Sequence, residues 1–502
     1  MSTDRVPFRT MAFGLVGFLF LVELTSGILQ GYYVPIATQI AGHIGATTAD
    51  YNFTEAAQLL VSALVVPVLA KLGDMFGHKR ILLASTAVTA LASWGMVASG
   101  GFTGYLIAFA FQGFYVVWLP LEVALIFDRG RRTGNSASTT RRAAGLLVVA
   151  LEAGAILGAL AGSRVFAASG HSFPATLAVP AVCVTLVFFA ILFGVRESIP
   201  IPGRRLDGGG FVLLALALLF ITGGLTFLRL NGPGSWTVWV PIVLGLLIFI
   251  PFARWERRKT DPAIDLRMLA KPNMWPVQLT AGLFGISVLG AQIPLSTFAA
   301  ADPAELGYGL NLDADVISYL IGGYLVALIV GALLFPLLAR RATPRTALIV
   351  ASFFVAGGYL LFIPLHDQFW QVALNMVIAG LGSGALVAAL PSAAAAAAPA
   401  GRSGIATGLT NTTKTIGGAF ASAVFGVILH VGLTSTASTS GAGLAAYIAV
   451  WSICGAGALV AAVLLFLVPK LAFSDSEVDL VGDAVGAADS PAADIPADIP
   501  AD

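Results

Sequence analysis

Long apolar stretches separated by short polar connections make up most of this 502-residue chain. Each stretch is long enough for the roughly 20 apolar residues that an α-helix needs to cross a bilayer. Fourteen stretches are found, at about residues 11–36, 55–72, 81–99, 102–127, 144–168, 175–195, 209–230, 236–253, 274–299, 316–339, 346–365, 369–391, 403–430 and 441–469. The pattern predicts an all-α membrane protein with 14 transmembrane helices. The first stretch exceeds the roughly 7–15-residue core of a signal peptide, so we expect it to be a retained span.

Lysine and arginine residues are concentrated in alternate connections between the apolar stretches. The connection after the second stretch carries Lys71, Lys79 and Arg80, whereas the one before it carries Asp50. Positively charged loops stay in the cytoplasm. The alternation therefore predicts an even number of spans, with both termini in the cytoplasm. The excess of Arg over Lys and Ala-rich runs such as 393–398 are typical of a GC-rich bacterial genome, so we expect a bacterial cell (inner) membrane.

Composition excludes several classes of protein. Hydrophobic residues make up 58% of the chain and charged residues 11%, against about 25% charged in soluble domains. These values exclude a soluble globular, disordered or nucleic-acid-binding protein and make the lipid bilayer the main environment. Cys183 and Cys454 both lie in apolar stretches. We therefore expect no disulfide framework, no metal site and no cofactor.

The last 32 or so residues differ from the rest. Residues 471–502 contain eight acidic residues, no basic residue and the repeat ADIPADIPAD. Such a segment cannot bury enough apolar area to fold, so we predict a disordered acidic tail. The chain has a net charge of +1 only because this tail offsets the positive connections.

Secondary transport is the class that the remaining features favour. The chain has no GxxxxGK[ST] phosphate-binding loop, and its five histidines are scattered, so neither ATP-driven transport nor enzymatic activity is expected. A weak internal repeat relates residues 67–83 to residues 336–349, as expected for a transporter built from two halves. We predict an N-terminal six-helix bundle (1–200), an extra helix pair with a linker (201–272) and a C-terminal six-helix bundle (273–470). A non-transporting membrane scaffold or sensor remains the alternative from another class.

One connection and three further stretches point to a known family. Residues 73–80 read GDMFGHKR, and the other stretches are 256–269, 401–429 and Glu23-Leu24-Thr25. Together they resemble the major facilitator superfamily, and within it the 14-span drug:proton antiporters. The resemblance implies the major facilitator fold, monomeric action and export of a hydrophobic or amphipathic small molecule in exchange for protons. The alternative is an uncoupled or differently coupled carrier for a metabolite or lipid.

The 73–80 connection is a candidate conformational latch. Gly73 and Gly77 permit a tight turn, and Asp74 can accept hydrogen bonds from a helix N-terminus. Lys79 and Arg80 can pair with acidic groups across the interface between bundles. In the family that it resembles, this loop latches the cytoplasmic side. The alternative is an ordinary positively charged inside loop.

Three acidic residues within predicted spans are candidates for proton coupling. Ionisable groups inside a membrane are costly and therefore point to function. Glu23 stands where the resembling antiporters carry an acid two residues before Thr, and Glu152 lies well inside the fifth span. For Glu152 the alternative is a neutral carboxyl group hydrogen-bonded within its bundle. For Glu122, near the end of the fourth span, the alternative is an ion pair with Arg129 or another loop base.

Two positions depart from the pattern of the resembling family. Gly154, Gly158 and Gly162 form a small-residue ladder like its antiporter motif, but Ala159 stands where that motif has proline. Close helix packing alone also explains such a ladder. Phe109 occupies the place of a membrane-embedded arginine tied to proton coupling. Either the acidic residues couple without it, or the ion or the coupling differs.

Polar residues within predicted spans are candidates for lining a substrate cavity at the bilayer midplane. Lys414 matches the basic position of the resembling family in span 13, and the alternative for it is an ion pair in helix packing. The full set of cavity candidates is Gln30, Gln112, Gln278, Gln292, Asn375, Asn411 and Lys414.

Overall fold

A computed structural model describes most of the chain. The described residues are 17–132, 136–200, 206–232, 234–259, 262, 264–397, 403–436 and 439–468. The predicted acidic tail and the first residues of the first predicted span lie outside this range.

Helices account for nearly all of the described structure. The N-terminal part contains α1 (Gly17–Gly31), α2 (Ala37–His43), α3 (Thr48–Phe76), α4 (His78–Ala98), α5 (Phe102–Gln112), a 3₁₀ turn (Gly113–Val117), α6 (Trp118–Arg132), α7 (Ser136–Ala168) and α8 (Phe173–Gly194). The middle contains α9 (Gly208–Asn231), α10 (Trp236–Glu256) and α11 (Leu266–Leu269). The C-terminal part contains α12 (Trp275–Val288), α13 (Gln292–Ala300), α14 (Pro303–Leu306), α15 (Ala314–Arg341), α16 (Pro344–Leu361), α17 (Phe369–Ala397), α18 (Ser403–Val431) and α19 (Leu444–Phe466).

Thirteen helical segments within the described residues are long and apolar enough to cross a membrane. The described part of the first predicted span, α1, is apolar but 15 residues long. The prediction of a helical multi-pass membrane fold is therefore confirmed. The structure adds one short antiparallel hairpin, in which β1 (Leu433–Thr436) pairs with β2 (Thr439–Ala442) between α18 and α19.

Local sequence explains how several helices begin and break. The Thr47 side chain and Asp50 form a reciprocal capping box at the start of α3. Gly77, at a φ of 102°, separates α3 from α4, a conformation that side chains rarely adopt. The predicted fourth span passes through a 3₁₀ turn between α5 and α6, and the ninth is interrupted between α12 and α13.

The helices pack into two groups and a pair. In the N-terminal group (α1–α8), α1 packs along α7, and α4 packs along α8. In the C-terminal group (α12–α19), α17 packs between α15 and α16, and α12 packs on α18. Helices α9 and α10 pack mainly on each other. The two groups meet through α3 against α18 and α7 against α15.

Candidate functional site

Two fully buried carboxyl groups face each other inside the N-terminal group. Glu23 on α1 and Glu122 on α6 are each 0% exposed. They lie close enough for their charges to interact. Neither carboxyl group has a hydrogen-bond partner among the described residues, although Ser26 lies near Glu23. The alternative prediction that Glu122 pairs with Arg129 therefore finds no hydrogen bond in the structure.

A third carboxyl group extends this cluster. Glu55 lies in the second turn of α3, and one of its carboxyl oxygens is buried without a hydrogen-bond partner among the described residues. Tyr115 interacts electrostatically with both Glu55 and Glu23. Glu55, Tyr115, Glu23 and Glu122 thus form a series of neighbouring ionisable groups through the N-terminal group. Sequence reasoning missed Tyr115, because aromatic residues are abundant in the spans and no local pattern marks this one.

An aromatic cluster surrounds Phe109, the position where the resembling family carries arginine. Its ring centroid lies 5.5 Å from that of Tyr33 and 5.6 Å from that of Tyr105. The hydroxyl groups of Tyr51 and Tyr105 are 3.2 Å apart. Tyrosine hydroxyl groups therefore lie around an apolar ring at a place where a cation would otherwise be expected.

Gln112 forms the centre of a buried hydrogen-bond network inside the N-terminal group. Its amide nitrogen donates to the Tyr33 hydroxyl at 2.8 Å and to the Ser93 hydroxyl at 3.0 Å. Its amide oxygen accepts a bond from Gln58 at 3.2 Å. Its polar atoms therefore have partners inside the N-terminal group, and the prediction that Gln112 lines a cavity stays a prediction.

Two other predicted cavity residues are also buried in helix contacts. Gln278 donates to the Ala406 carbonyl and the Thr410 hydroxyl, and so joins α12 to α18. Asn375 is 0% exposed and donates to the Leu365 carbonyl at 2.7 Å. Both side chains form hydrogen bonds within the C-terminal group, and the prediction that they line a cavity stays a prediction.

The remaining amides differ in exposure. Gln292 is half-buried and donates to the Val288 carbonyl of the preceding turn at 2.8 Å. Gln30 is exposed near the end of α1. Asn411 is half-buried on α18, one turn before Lys414. Of the predicted amides, Asn411 alone lies beside a charged candidate on the same helix face.

Glu152 and Lys414 bring the two groups of helices together electrostatically. Glu152 on α7 interacts with Lys414 on α18 and with Tyr324 on α15. Both charged side chains are half-buried, and no salt bridge of 4 Å or less joins them. The predicted hydrogen bond of a neutral Glu152 within its own bundle does not occur among the described residues. Opposite charges therefore face each other across the contact between the groups.

The glycine ladder on α7 lies against the backbone of α1. A Cβ atom at Gly154 would overlap the carbonyl oxygen of Leu24, and one at Gly158 would lie 2.6 Å from the carbonyl oxygen of Ile28. A Cβ at Gly162 would overlap the carbonyl oxygen of Tyr32. These glycines let the helix carrying Glu23 approach the helix carrying Glu152 more closely than any other residue permits.

The turn at residues 73–80 is held by a carboxyl group that sequence reasoning missed. Glu197, just after α8, accepts hydrogen bonds from the backbone N–H groups of Lys79 at 2.8 Å and Arg80 at 3.1 Å. Its carboxyl group packs against Gly77, where no Cβ intervenes. A carboxylate at a helix N-terminus satisfies free N–H groups and complements the helix dipole. Glu197 could not be found from local pattern, because it lies more than 100 residues along the chain.

The other groups of this turn also find partners within the N-terminal group. Nε2 of His78 lies 3.3 Å from Oδ1 of Asp74. The Lys79 ammonium group donates to the Leu192 carbonyl at 2.9 Å, and Nε of Arg80 lies 3.8 Å from Glu197. Among the described contacts, Lys79 and Arg80 pair with Leu192 and Glu197 of the N-terminal group, and their expected pairing across the bundle interface stays a prediction. Gly73 packs against Leu121.

We expect Glu197→Ala to destabilise the chain by about 1–2 kcal/mol, because two helix N–H groups lose their acceptor. The measurement is thermal unfolding of the purified protein in detergent. Asp313→Ala is the matched control, because Asp313 also precedes a helix but makes no side-chain cap hydrogen bond. Equal unfolding temperatures for the two variants would contradict this account of Glu197.

The side-chain hydrogen bonds and ion pairs that join the two groups of helices in the described part of the chain lie at one end of the molecule. Ser163 and Ser318 hydroxyl groups are 2.7 Å apart, and Arg164 donates to the Tyr319 hydroxyl at 2.7 Å. At the same end, the Ser296 hydroxyl donates to the Val34 carbonyl, and Nδ1 of His430 lies 3.9 Å from Oδ1 of Asp50. We call this end the closed face. The opposite end, which carries Lys79, Arg80 and the start of the α10–α11 connection, is the basic face.

Comparisons with known proteins agree with this fold. The family model of the Major Facilitator Superfamily matches residues 19–422. A triacylglyceride transporter of Mycolicibacterium hassiacum is 28% identical over 397 residues, which cover 72% of this chain and 68% of that protein. A cephamycin export protein of Amycolatopsis lactamdurans is 28% identical over 365 residues, which cover 70% of this chain and 72% of that protein.

Solved structures show the same fold at low sequence identity. The crystal structure of an auto-inhibited POT family peptide transporter superposes with a TM-score of 0.63 at 14% identity and covers 90% of this chain and 96% of that chain. The match over residues 19–422 spans most of the chain and includes both helix groups and the pair between them. The chain therefore belongs to the Major Facilitator Superfamily of membrane transporters.

Proposed function

We propose that this chain exports a hydrophobic or amphipathic small molecule by proton antiport, as a monomer in a bacterial inner membrane. The observation that carries the proposal is the buried pair of Glu23 and Glu122, which lacks hydrogen-bond partners among the described residues. Two carboxylates this close in an apolar interior repel each other, and a shared proton removes the repulsion. The pair can therefore take up and release a proton as the surrounding helices move. The relation to a named export protein supports the direction of transport.

Two helix groups that move against each other would provide alternating access to the site. We propose 14 spans, with α1 as the first, arranged as two six-helix bundles and the α9–α10 pair. The basic face lies in the cytoplasm, since positively charged connections are retained there. The closed face then lies outside, and the contacts of Ser163 with Ser318 and of Arg164 with Tyr319 act as an outer gate. The 73–80 turn acts as the latch on the cytoplasmic side.

We expect a disulfide between cysteines placed at positions 163 and 318 to stop transport. The two hydroxyl groups are 2.7 Å apart, so Ser163→Cys and Ser318→Cys place two thiols within bonding reach. The measurement is dye or drug efflux before and after oxidation, and after reduction. Each single variant is the control, and a cross-linked double variant that transports at the normal rate would contradict the outer gate.

The proposed function is tested by efflux from energised vesicles. A strain that lacks the chain is first screened for the compound to which it becomes most sensitive, and that compound is the probe. Export should then depend on the proton gradient and stop when an uncoupler is added. Export that continues unchanged with the uncoupler would exclude proton antiport and leave a carrier that works without it.

A lipid carrier is the second candidate, and two observations favour it. Phe109 lies in an aromatic cluster instead of the arginine of the resembling antiporters, and one of the similar proteins is a named triacylglyceride transporter. Under this alternative, radiolabelled triacylglyceride moves between vesicles that contain the chain, and the uncoupler has no effect.

A further inference from the structure

Helix α10 is the least covered of the 13 long apolar helices. Apolar side chains such as Trp239, Leu246 and Ile250 remain about half exposed on its surface. In a membrane this surface faces acyl chains. Trp255, at the basic end of the helix, donates its indole N–H to Asp207 at 2.8 Å, as is typical of tryptophan at the headgroup level.

An apolar groove on α10 and a basic cavity at the same end of the helix share Arg257 as a lining residue. The groove has a volume of about 350 Å³ and is lined by Phe249, Ile250, Ala253, Arg254 and Arg257. The cavity has a volume of about 290 Å³, and Arg257 lines it too. Arg257 therefore lies between an apolar channel along the helix and a polar space beyond its end.

Positive charge dominates the cavity. Its lining includes Arg257, Arg258, Lys259 and Arg267, and the first three side chains are exposed and form no ion pair among the described residues. Lys259 lies over the ring of Trp255 at 4.4 Å, which leaves its charge at the headgroup level. The cavity is thus complementary to an anion.

The two acidic residues of the cavity are already bound to backbone groups. Asp265 accepts from the N–H groups of Arg267 and Met268, both at 3.1 Å. Glu256 accepts from the N–H group of Ile264 at 3.4 Å. Among the basic residues of the lining, the Arg267 guanidinium donates to the Arg257 carbonyl at 2.7 Å, which leaves the exposed side chains of Arg257 and Arg258 to receive an anion.

We propose that this groove and cavity bind one anionic phospholipid, with its phosphate at Arg257 and Arg258 and an acyl chain along Phe249 and Ala253. A free anion would occupy only the basic cavity, whereas a phospholipid would occupy the basic cavity with its headgroup and the apolar groove with an acyl chain. Basic pockets between membrane helices are known to bind anionic headgroups. The inference does not depend on the proposed export activity. It gives the α9–α10 pair a role as a lipid-binding element between the two groups of helices.

The test is native mass spectrometry of the purified full chain, titrated separately with phosphatidylglycerol, phosphatidylcholine and inorganic phosphate. The wild-type chain should retain phosphatidylglycerol in preference to phosphatidylcholine. Arg257→Gln with Arg258→Gln should lower the affinity for phosphatidylglycerol by about tenfold or more. The matched control removes the same charge from the basic end of α15, with Arg340→Gln and Arg341→Gln, and should keep normal affinity. Equal affinity in both double variants would overturn the proposal.

A second variant tests the groove without changing any charge. Ala253→Phe should fill the apolar channel, so phosphatidylglycerol binding falls while binding of inorganic phosphate stays unchanged. Normal phosphatidylglycerol binding by this variant would overturn the acyl-chain part of the site. Phosphate binding as tight as phosphatidylglycerol binding in the wild-type chain would show that the cavity takes a free anion instead.

Discussion

Glu23→Gln is expected to abolish proton-driven export and leave the chain folded. Glutamine keeps the size and polarity of the side chain but cannot release a proton. Since coupling between two binding events is typically worth 5–150-fold in affinity, we expect energised efflux to fall by about tenfold or more. Export is measured as uptake of the probe compound into everted vesicles. The probe is the compound to which a strain without this protein is most sensitive.

Two controls separate lost coupling from lost structure. Substrate exchange between the two sides of the membrane needs no net proton movement, so Glu23→Gln should still catalyse it. Glu305→Gln changes an exposed acid on α14 and should leave energised efflux normal. If Glu23→Gln retains uncoupler-sensitive efflux at the wild-type rate, the proton does not bind at Glu23.

Gly154→Ala is expected to cause a large loss of stability for the addition of a single methyl group. The new Cβ would overlap the Leu24 carbonyl oxygen and would lie 3.1 Å from the Cα of Gly27 on the facing helix. Backbone cannot move aside as a side chain can, so α1 and α7 must separate along their shared length. We expect a loss of at least about 3 kcal/mol, the upper part of the range for overpacked sites. Thermal unfolding of the purified protein measures it.

The matched control for this substitution is Gly357→Ala. Nothing lies within 4 Å of a Cβ built at Gly357, so the same chemical change there should be neutral or slightly stabilising. A Gly154→Ala variant that unfolds at the same temperature as Gly357→Ala would contradict the close approach of α1 and α7.

Hydrophobic patterning predicted the helices well, because the membrane thickness sets the length of a span and each span is one continuous apolar segment of the sequence. The helical membrane fold was accessible in this way, whereas the family was accessible from the residues at 73–80, 256–269 and 401–429. The breaks within spans were not, since the 3₁₀ turn at Gly113–Val117 and the interruption before Gln292 lie inside unbroken apolar stretches.

The roles of polar residues were harder to predict, because their partners lie on other helices. Gln112 and Gln278 are of a residue type expected in a cavity wall, but the sequence alone did not show that they bond to Tyr33 and Thr410. The same limit hid Glu197, because the backbone N–H groups that donate to it at the start of α4 lie far away along the chain. A single sequence shows which polar residues are costly to bury. It does not show which partners on other helices offset that cost.

The structure shows which side chains surround Phe109, which stands where the resembling family carries arginine. Its neighbours Tyr33 and Tyr105 carry hydroxyl groups, and Tyr115 lies near both Glu55 and Glu23. Under the proposed function, proton movement would pass along the carboxyl groups of the N-terminal group without a membrane-embedded cation. The electrostatic interaction between Glu152 and Lys414 would then couple the N-terminal group of helices to the C-terminal group.

Proton movement driven by substrate is the most direct test of proton antiport. The purified chain is placed in liposomes that contain a pH-sensitive dye, and an outward gradient of the identified compound is imposed without any pH gradient. Antiport predicts that the lumen becomes acidic as the compound leaves, and that Glu23→Gln abolishes the acidification. Release of the compound with no change in lumenal pH, at a rate that an uncoupler does not alter, would contradict the proposal.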